Sequence, residues 1–521
     1  MHVLDWGDEA ERQTVMSRQC LVFGRRSRHL MELLDWSVRF GERTALTCGG
    51  RRVSFVEQRR RVDAAAGLLH RSGVAPGDRV LLLGSNQPEW VLGFWAAVAM
   101  GALPVLGNGW WSEDEAGTAV DLVRPAVVVA DERARGLVGD GVPVVGYGQI
   151  AAAEGSGPPT PAADEDDPAL LLFTSGTTGL PKAAVLSHRA VIANQHNLLH
   201  RTRRLPHQLD PTARPTVAML SVPLFHLGGL QSVASAVMLG STLAFLSGRF
   251  DPAGALDLIE AEGVTTWAAV PTMVQRVLDE PTLATRDLTG VRTIMVGGAP
   301  VHPTLLARIG AAFPNARRGA GSSYGLTEAG GVVATGVGDE LARRPGSVGR
   351  PLATVEVRIA GDGEILVRSP TLMQGYWGTP GAASGINDDG WLATGDIGHL
   401  DGDGYLFITD RAKDLVIRGG ENIASANVER ALASHPAVAE VAVIGLAHAD
   451  LGEEVGAVVV ARSGHRVRPG ELGQHATRLL ARFEVPSRWW LHDGPLPTTP
   501  VGKVDKRTLR DTWPCEDLLR G

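Results

Sequence analysis

Lysine is scarce in this 521-residue sequence. Of its 50 basic residues only four are lysines, and the other 46 are arginines. Arginine therefore supplies positive charge almost everywhere. A position that keeps lysine can need what arginine lacks, a compact ammonium group on a flexible stem. The first candidates for sites of chemistry are thus Lys182, Lys413, Lys503 and Lys506.

Cysteine is also scarce, and the three residues, Cys20, Cys48 and Cys515, are odd in number and share no spacing typical of metal ligands. This argues against a disulfide framework and favours a reduced intracellular compartment, which we expect to be the cytoplasm. The first residues, MHVLDWGDEAERQ, are acidic and lack the apolar segment of a signal peptide.

An excess of positive charge is absent too, because the formal net charge is −7. This argues against nonspecific binding to nucleic acid or to an anionic membrane. The long uncharged runs at 90–112 and 216–248 are broken by glycine and proline, so they predict buried strands and helices rather than membrane spans. The arginine-rich segment 200–215 is interpreted as a solvated surface, with a polyanion or partner site as the alternative.

The content of 44% hydrophobic and 21% charged residues is that of an ordinary globular protein. Short apolar runs alternate with amphipathic segments, which predicts parallel strands covered by helices. The predicted elements are strands at 79–85, 126–132, 143–148 and 169–176, a helix at 88–100, hairpin strands at 355–369 and 404–410, and then helices near 426–435 and 470–483 around strands at 438–446 and 455–461. We therefore predict an α/β fold: a large N-terminal body of several subdomains with parallel sheets, residues 1–412, and a small mobile α+β C-terminal domain, residues 413–521.

The strongest motif is LLFTSGTTGLPKAAVLSH, residues 171–188. A buried strand leads into a loop in which glycines allow backbone N–H groups to face an anion and hydroxyls add donors. Lys182 would add a mobile positive charge. The pattern differs from the Walker loop, because Pro181 precedes this lysine and Ala183 follows it. A simple turn is the alternative to a phosphate site made of Thr174, Ser175, Gly176, Thr177, Thr178, Gly179 and Lys182.

This run resembles the phosphate-binding signature of the adenylate-forming superfamily, which contains acyl- and aryl-CoA synthetases, peptide adenylation domains and luciferases. The resemblance continues in order along nearly the whole chain. Its further motifs are SVPLFHLGG (221–229), VPTM (270–273), GGAP (297–300), SYGLTE (323–328), GSVGRP (346–351), the run 390–423 that contains ATGD, DRAKD and RGGEN, and PTTPVGKVDKRTLR (497–510).

The resemblance implies a nucleotide site. Glu328 would be an oxygen ligand for Mg²⁺, and Thr327 would donate to the α-phosphate. The adenine would lie between the ring of Tyr324 and the backbone of Gly297, Gly298 and Ala299. Asp396 would accept hydrogen bonds from the ribose, unless it only stabilises a turn, and Arg411 would add a ribose or phosphate contact.

It also implies a mobile C-terminal domain. Lys413 stands where the family has its hinge, with a surface lysine as the alternative, and Gly419 and Gly420 would come over the site in a second half-reaction. Lys503 matches the lysine that bridges the substrate carboxylate and the α-phosphate. Lys506 is interpreted as a structural or surface residue. His226 is interpreted as a residue of the acyl pocket rather than a core histidine.

The implied reaction is that of an AMP-forming carboxylate–CoA ligase, which uses Mg-ATP to make an acyl-adenylate of a fatty or aryl acid and passes the acyl group to coenzyme A. The small apolar residues near Phe225 and His226 favour such acids over amino acids. Ala424, Ser425 and Asn427 depart from the usual sequence after GGEN, which bears on the second step. The alternatives are another acceptor, such as a carrier protein, an amine or a biosynthetic nucleophile; a non-catalytic binding protein; and a different ATP enzyme such as a kinase. The expected protein is a freestanding monomer or homodimer.

Overall fold

The computed structural model describes all but a few short segments of the chain. The described residues are 4–139, 141–174, 182–210, 213–246, 248–378, 385–411, 414–418, 421–499 and 502–514, with the side chains of Arg411 and Asn422 outside the description. The predicted boundary at 412 and 413 lies outside these residues, so the division of the chain stays a prediction.

The strands are numbered in chain order. They are β1 Ala10–Val15, β2 Arg18–Phe23, β3 Thr44–Cys48, β4 Arg51–Ser54, β5 Arg79–Gly84, β6 Leu103–Asn108, β7 Val127–Ala130, β8 Val144–Gly146, β9 Pro168–Thr174, β10 Lys182–Ser187, β11 Val217–Leu220, β12 Thr242–Phe245, β13 Thr266–Ala269, β14 Thr293–Gly297, β15 Ala320–Leu326, β16 Gly331–Val337, β17 Ser347–Pro351, β18 Glu356–Ile359, β19 Glu364–Arg368, β20 Gly375–Tyr376, β21 Leu392–Leu400, β22 Leu406–Arg411, β23 Val416–Arg418, β24 Glu421–Ile423, β25 Val438–His448, β26 Gly452–Ala461 and β27 Arg488–Leu491.

The helices follow the same numbering. They are α1 Leu30–Ser37, α2 Phe55–Arg71, α3 Pro88–Ala99, α4 Glu113–Val123, α5 Glu132–Arg135, α6 Tyr147–Ala151, α7 His188–Arg201, α8 Leu227–Leu239, α9 Pro252–Glu262, α10 Pro271–Leu278, α11 Pro303–Ala312, α12 Asp339–Arg343, α13 Ser425–Ala433, α14 Pro469–Thr477 and α15 Lys506–Asp511. Single 3-10 turns lie at Val38–Phe40, Pro206–Gln208, Leu283–Thr285 and Pro314–Ala316.

Two large sheets form the body. Within the described ranges, the first has the order β20-β10-β9-β6-β5-β7-β8, and the second has the order β18-β19-β21-β22-β17-β16-β15-β14-β13-β11-β12-β3-β4. Their centres are parallel, at β6-β5-β7 and at β15-β14-β13-β11-β12. Such strands are covered on both faces, which is why their sequences are continuous apolar runs.

The largest core lies between these two sheets. It joins apolar side chains of α1, α2, α3, α7 and α8 to strands of both sheets. Helices α9, α10 and α11 cover the outer face of the larger sheet, and α4 and α5 cover the outer face of the smaller one. A third sheet, β24-β23-β26-β25 with β27 beside β26, carries α13 and α14 on one face and α15 on the other. The predicted fold class, a large α/β body with a smaller C-terminal domain, is confirmed.

Most predicted elements are found, and two of them differ in extent. The predicted helix near 470–483 ends at Thr477. Beyond it Leu480 packs against the core, but Leu479 is 55% and Phe483 42% exposed, so little apolar burial supports a longer helix. The strand predicted at 143–148 ends at Gly146, because this glycine caps α6 and its N–H bonds the Gln149 side chain at 2.8 Å.

The long uncharged runs are divided as expected. Residues 90–112 form most of α3 and all of β6, and residues 216–248 form β11, α8 and β12. None of the helices in the described part of the chain has both the length and the apolar composition needed to cross a bilayer.

The N-terminal hairpin β1-β2 is attached to α7 through a buried histidine. His196 stacks on Trp6 and Phe23, with ring centroids 4.4 Å and 3.8 Å apart, and its Nε2 donates to Gly7 O at 2.7 Å. Burial lowers the pKa of His196 to about 3. Its ordinary pKa in an unfolded chain is about 6.5, so below that pH the unfolded state binds one proton more than the folded state.

We therefore expect acid to destabilise the protein through His196. The contribution of His196 to the free energy of unfolding falls by about 1.4 kcal/mol for each unit by which the pH is lowered from 6.5 towards 3. The variant His196→Gln keeps a donor for Gly7 and loses this titration, so its free energy of unfolding should depend less steeply on pH, by about one proton. Urea unfolding at pH 7 and pH 4.5 measures both slopes. Parallel pH dependences of the two proteins would contradict the expectation.

Candidate active site

One position in the middle of the larger sheet is open to solvent. Ala268 is exposed although its strand β13 lies in the middle of the sheet, between β11 and β14. Its neighbour Met295 on β14, in register with it, is half-buried. Since carboxyl ends of parallel strands meet at one edge of a sheet, the loops after β11, β14 and β15 converge here. This edge is where ligands bind in open α/β sheets.

The predicted phosphate loop joins two paired strands of the smaller sheet. Thr174 ends β9 and Lys182 begins β10, and the two residues are in register in an antiparallel pair. Both side chains are half-buried. The loop residues Ser175, Gly176, Thr177, Thr178 and Gly179 lie outside the described residues, so their role stays a prediction.

Tyr376 connects this loop to Glu328. Its hydroxyl donates to Glu328 Oε1 at 2.9 Å, and the Thr174 hydroxyl also bonds it. The ammonium of Lys182 lies over its ring, 5.2 Å from the centroid. Burial raises the pKa of Tyr376, and the Glu328 carboxylate raises it further, so the phenol remains a donor at neutral pH.

Glu328 is held at the turn after β15. The following Gly330 has φ +69°, and a Cβ there would lie 1.7 Å from Thr371 O, so only glycine fits. Met373 N donates to Glu328 O at 3.0 Å. Thr327, its neighbour, is half-buried on the same turn. The segment 369–376 therefore fixes both the backbone and the carboxylate of Glu328.

A metal ion at this place would have few protein ligands. Among the described residues, no group of three His, Cys, Asp or Glu side chains could hold an ion by itself. Mg²⁺ at ATP sites commonly takes one or two carboxylates and completes its shell with phosphate oxygens and water. A single carboxylate, with Oε1 bonded to Tyr376 and placed beside the phosphate loop, fits that pattern.

The predicted adenosine-binding residues come together at the end of β15. The Tyr324 hydroxyl donates to Asp396 Oδ2 at 2.6 Å, and Asp396 is 3% exposed. Gly297 faces Ser323, whose Oγ would lie 2.5 Å from a Cβ at that glycine. The backbone of Gly297 therefore packs too closely against Ser323 for a side chain to fit. Ala299 follows in the half-buried loop after β14.

His226 and Lys503 lie close enough for the charge of the lysine to act on the histidine ring. His226 precedes α8, next to Phe225 and Trp110, and its Nε2 is buried without a hydrogen-bond partner among the described residues. Burial, and to a lesser extent the charge of Lys503, lower the pKa of His226 to about 3, so its ring is neutral. A Cβ at Gly298 would lie 3.5 Å from Lys503 Cε. The structure thus brings Lys503, from the C-terminal domain, close to both Gly298 and His226, for which the sequence predicts nucleotide and acyl contacts.

Contacts from α10 hold the C-terminal domain in this position. The Thr272 hydroxyl donates to Gly502 O at 2.5 Å, immediately before Lys503. Gln275 Nε2 donates to Ala439 O at 3.0 Å. Asp279 accepts from Arg308 of the body and from Arg462 of the C-terminal domain. The VPTM motif therefore begins a helix that docks the domain.

The other predicted positions divide into two kinds. The Arg411 side chain and the residues Lys413, Gly419 and Gly420 lie outside the description, although the backbone of Arg411 pairs with Asp396 in register. Lys506 has a structural environment: its Nζ lies 2.7 Å from Glu429 Oε1 and 2.9 Å from Ser425 Oγ. Sequence reasoning missed Tyr376, Thr272 and Ala268. Tyrosine scarcity, with four in the chain, was a usable signal for Tyr376.

A body of two parallel-centred sheets, with a small domain that inserts a lysine at the sheet edge, defines the class of adenylate-forming enzymes. The chain belongs to the AMP-binding enzyme family. The family model described as "AMP-binding enzyme" matches residues 33–377, and the model of the "AMP-binding enzyme C-terminal domain" matches residues 427–503.

Similar proteins span nearly the whole chain. Feruloyl-CoA synthase of an Amycolatopsis species is 36% identical over 484 residues, which cover 90% of this chain and 95% of that protein. A fatty acid–[acyl-carrier-protein] ligase of Streptomyces coeruleorubidus is 32% identical, with 90% and 93% covered. The solved structure of the amide bond synthetase McbA of Marinactinospora thermotolerans has a TM-score of 0.81 and 30% identity, and the match covers 92% of this chain and 99% of that one.

Proposed function

We propose that this protein is an AMP-forming ligase that activates a fatty or aryl carboxylic acid with ATP and transfers the acyl group to coenzyme A. The observation that carries the proposal is the position of Lys503 between Gly298 and His226, where a carboxylate and an α-phosphate would meet. The similarity to CoA ligases over nine-tenths of the chain supports the same reaction.

In the first half-reaction, a substrate carboxylate oxygen attacks the α-phosphorus of ATP and pyrophosphate leaves. Both reactants are anions, so the attack needs positive charge that follows the developing charge. Lys503 supplies it between carboxylate and α-phosphate, and Lys182 supplies it at the leaving phosphates. Thr327 donates to the α-phosphate, and Asp396 and Arg411 bind the ribose.

Glu328 would hold Mg²⁺, which when bound neutralises phosphate charge and orients the leaving group. In the second half-reaction, the C-terminal domain turns about Lys413, withdraws Lys503 and brings Gly419 and Gly420 over the acyl-adenylate. The thiol sulfur then attacks the acyl carbon and AMP leaves. The α10 contacts to Gly502, Ala439 and Arg462 are those that this rotation would break.

The pocket walls favour an apolar acid. We assign these walls to Ala268, Met295, Phe225 and Trp110, of which Trp110 meets Phe225 edge to face at 5.3 Å. His226 is neutral and adds no charge there. Such walls suit an aryl ring or an alkyl chain, because burial of apolar surface supplies the binding free energy. Cytoplasmic location and a monomeric or dimeric state are part of the proposal.

The test is carboxylate-dependent ATP–pyrophosphate exchange across a panel of aryl, fatty and amino acids, followed by mass analysis of products with and without coenzyme A. We expect exchange with aryl or fatty acids and an acyl-CoA product. Formation of ADP with any acid would overturn the proposal. Similarity to a carrier-protein ligase and an amide bond synthetase supports the second candidate, transfer to a carrier protein or an amine. That candidate replaces the first if acyl-adenylate forms and coenzyme A leaves it unchanged.

A further inference from the structure

Tyr376 is placed by a short strand immediately beside the phosphate loop. Strand β20 pairs with β10 two residues after Lys182, with Tyr376 opposite Ala184. Flanking backbone bonds extend this pairing, from Gln374 N to Val185 O at 2.9 Å and from Trp377 N to Ala183 O at 2.8 Å. The two register pairs and these two hydrogen bonds fix the backbone, so the position of the aromatic ring follows from the sheet.

The ring separates two opposite charges. Lys182 Nζ lies 5.2 Å from the ring centroid, and the hydroxyl at the far end of the ring donates to Glu328 Oε1 at 2.9 Å. Within the described ranges, no ion pair joins Lys182 to Glu328. An ammonium and a carboxylate free to meet in a half-buried site would pair with each other, because their attraction there is stronger than in bulk water.

We propose that Tyr376 is a positioning residue that keeps Lys182 and Glu328 apart, so that the lysine remains available for a nucleotide phosphate and the carboxylate for its metal ion. The ring attracts the ammonium to its face, and the hydroxyl occupies one carboxylate oxygen and leaves the other free. The inference rests on the proposed function, since it concerns the same phosphate site. Tyr376 has no role in the reaction steps proposed above, so the inference adds a residue to the site.

Two variants separate the two parts of this side chain. Tyr376→Phe keeps the ring and removes the hydroxyl, and Tyr376→Leu removes both. Tyr405→Phe is the matched control. Tyr405 directly precedes β22, is buried against Arg344 and has no proposed role in the site. Calorimetric titration of the full-length protein with ATP, first with EDTA and then with Mg²⁺, measures each part without turnover.

For Tyr376→Phe we expect the ATP affinity in EDTA to stay within twofold of that of the unchanged protein. The factor by which Mg²⁺ increases the ATP affinity should be roughly tenfold smaller, which corresponds to the free energy of one hydrogen bond to a charged group. For Tyr376→Leu we expect the affinity in EDTA to fall as well, by roughly fivefold, because Lys182 is then free to pair with Glu328. Tyr405→Phe should match the unchanged protein in both titrations.

Two results would overturn the inference. One is an unchanged Mg²⁺ gain in Tyr376→Phe. The other is an equal loss of affinity with and without Mg²⁺ in both variants, accompanied by a lower melting temperature, which would mark a purely structural residue. Failure of the proposed function is separate: the unchanged protein would then show no ATP–pyrophosphate exchange with any acid, whatever the variants do.

Discussion

Replacement of Lys503 by alanine is expected to lower carboxylate-dependent ATP–pyrophosphate exchange by roughly two to three orders of magnitude, as loss of a preorganised charge at a reacting centre does. The structure places this ammonium beside Gly298 and the neutral ring of His226, and the proposed function makes this the place where carboxylate and α-phosphate would meet. Circular dichroism and a melting curve should remain those of the unchanged protein, because Lys503 is half-buried in a turn and belongs to no apolar core.

The matched control is Arg507→Ala. Its side chain is 80% exposed and, within the described ranges, forms an ion pair with Asp511 alone, at 3.8 Å, so exchange should change less than twofold. A second measurement tests the specificity of the effect: Lys503→Ala supplied with preformed acyl-adenylate should still make thioester, since the proposed rotation withdraws the lysine before that step. Exchange retained within tenfold in Lys503→Ala would exclude the assigned role.

Replacement of Lys506 by methionine is expected to cost about 3 kcal/mol of stability in the C-terminal domain. It would leave the buried carboxylate of Glu429 without its cation, near Asp410 and Asp414. Burial by itself lowers the pKa of Lys506, but the charge and hydrogen bond of Glu429, together with the charges of Asp414 and Asp410, outweigh burial, so the pKa is raised. Because the pKa of this lysine is raised, the stabilisation by its charge is fully present at neutral pH and is lost only as the pH rises through that pKa.

The double variant Lys506→Met with Glu429→Gln separates charge from packing. Glutamine keeps the Oε1 acceptor that Val443 N uses at 2.9 Å, so most of the lost stability should return. Urea unfolding followed by tryptophan fluorescence reports on the domain, which contains Trp489, Trp490 and Trp513. Arg507→Met serves as the exposed control. Equal stability of the single and double variants would show that the charge of Glu429 is not the cause.

The apolar patterns predicted the parallel sheets well, because a strand buried on both faces must be apolar along its whole length. They failed for the end of α14, where Leu479 continues the helical pattern and yet stays exposed. An apolar sequence pattern indicates which face of an element could be buried. Only the tertiary packing decides whether another element covers that face. The motif around Lys182 and the PTTPVGK motif of Lys503 similarly predicted a phosphate site and a reactive lysine, and these roles remain predictions.

Four lysines among 50 basic residues marked the first candidate positions, and the sequence by itself determined those positions and the family. Lys503 and Lys506 stand three residues apart, and no property of their residue type separates them. Tertiary structure did so, because one ammonium emerges beside Gly298 and the other meets Glu429. It also placed Tyr376 between Lys182 and Glu328. The partners of a side chain come from strands distant in sequence, so their identity depends on how the sheets pack.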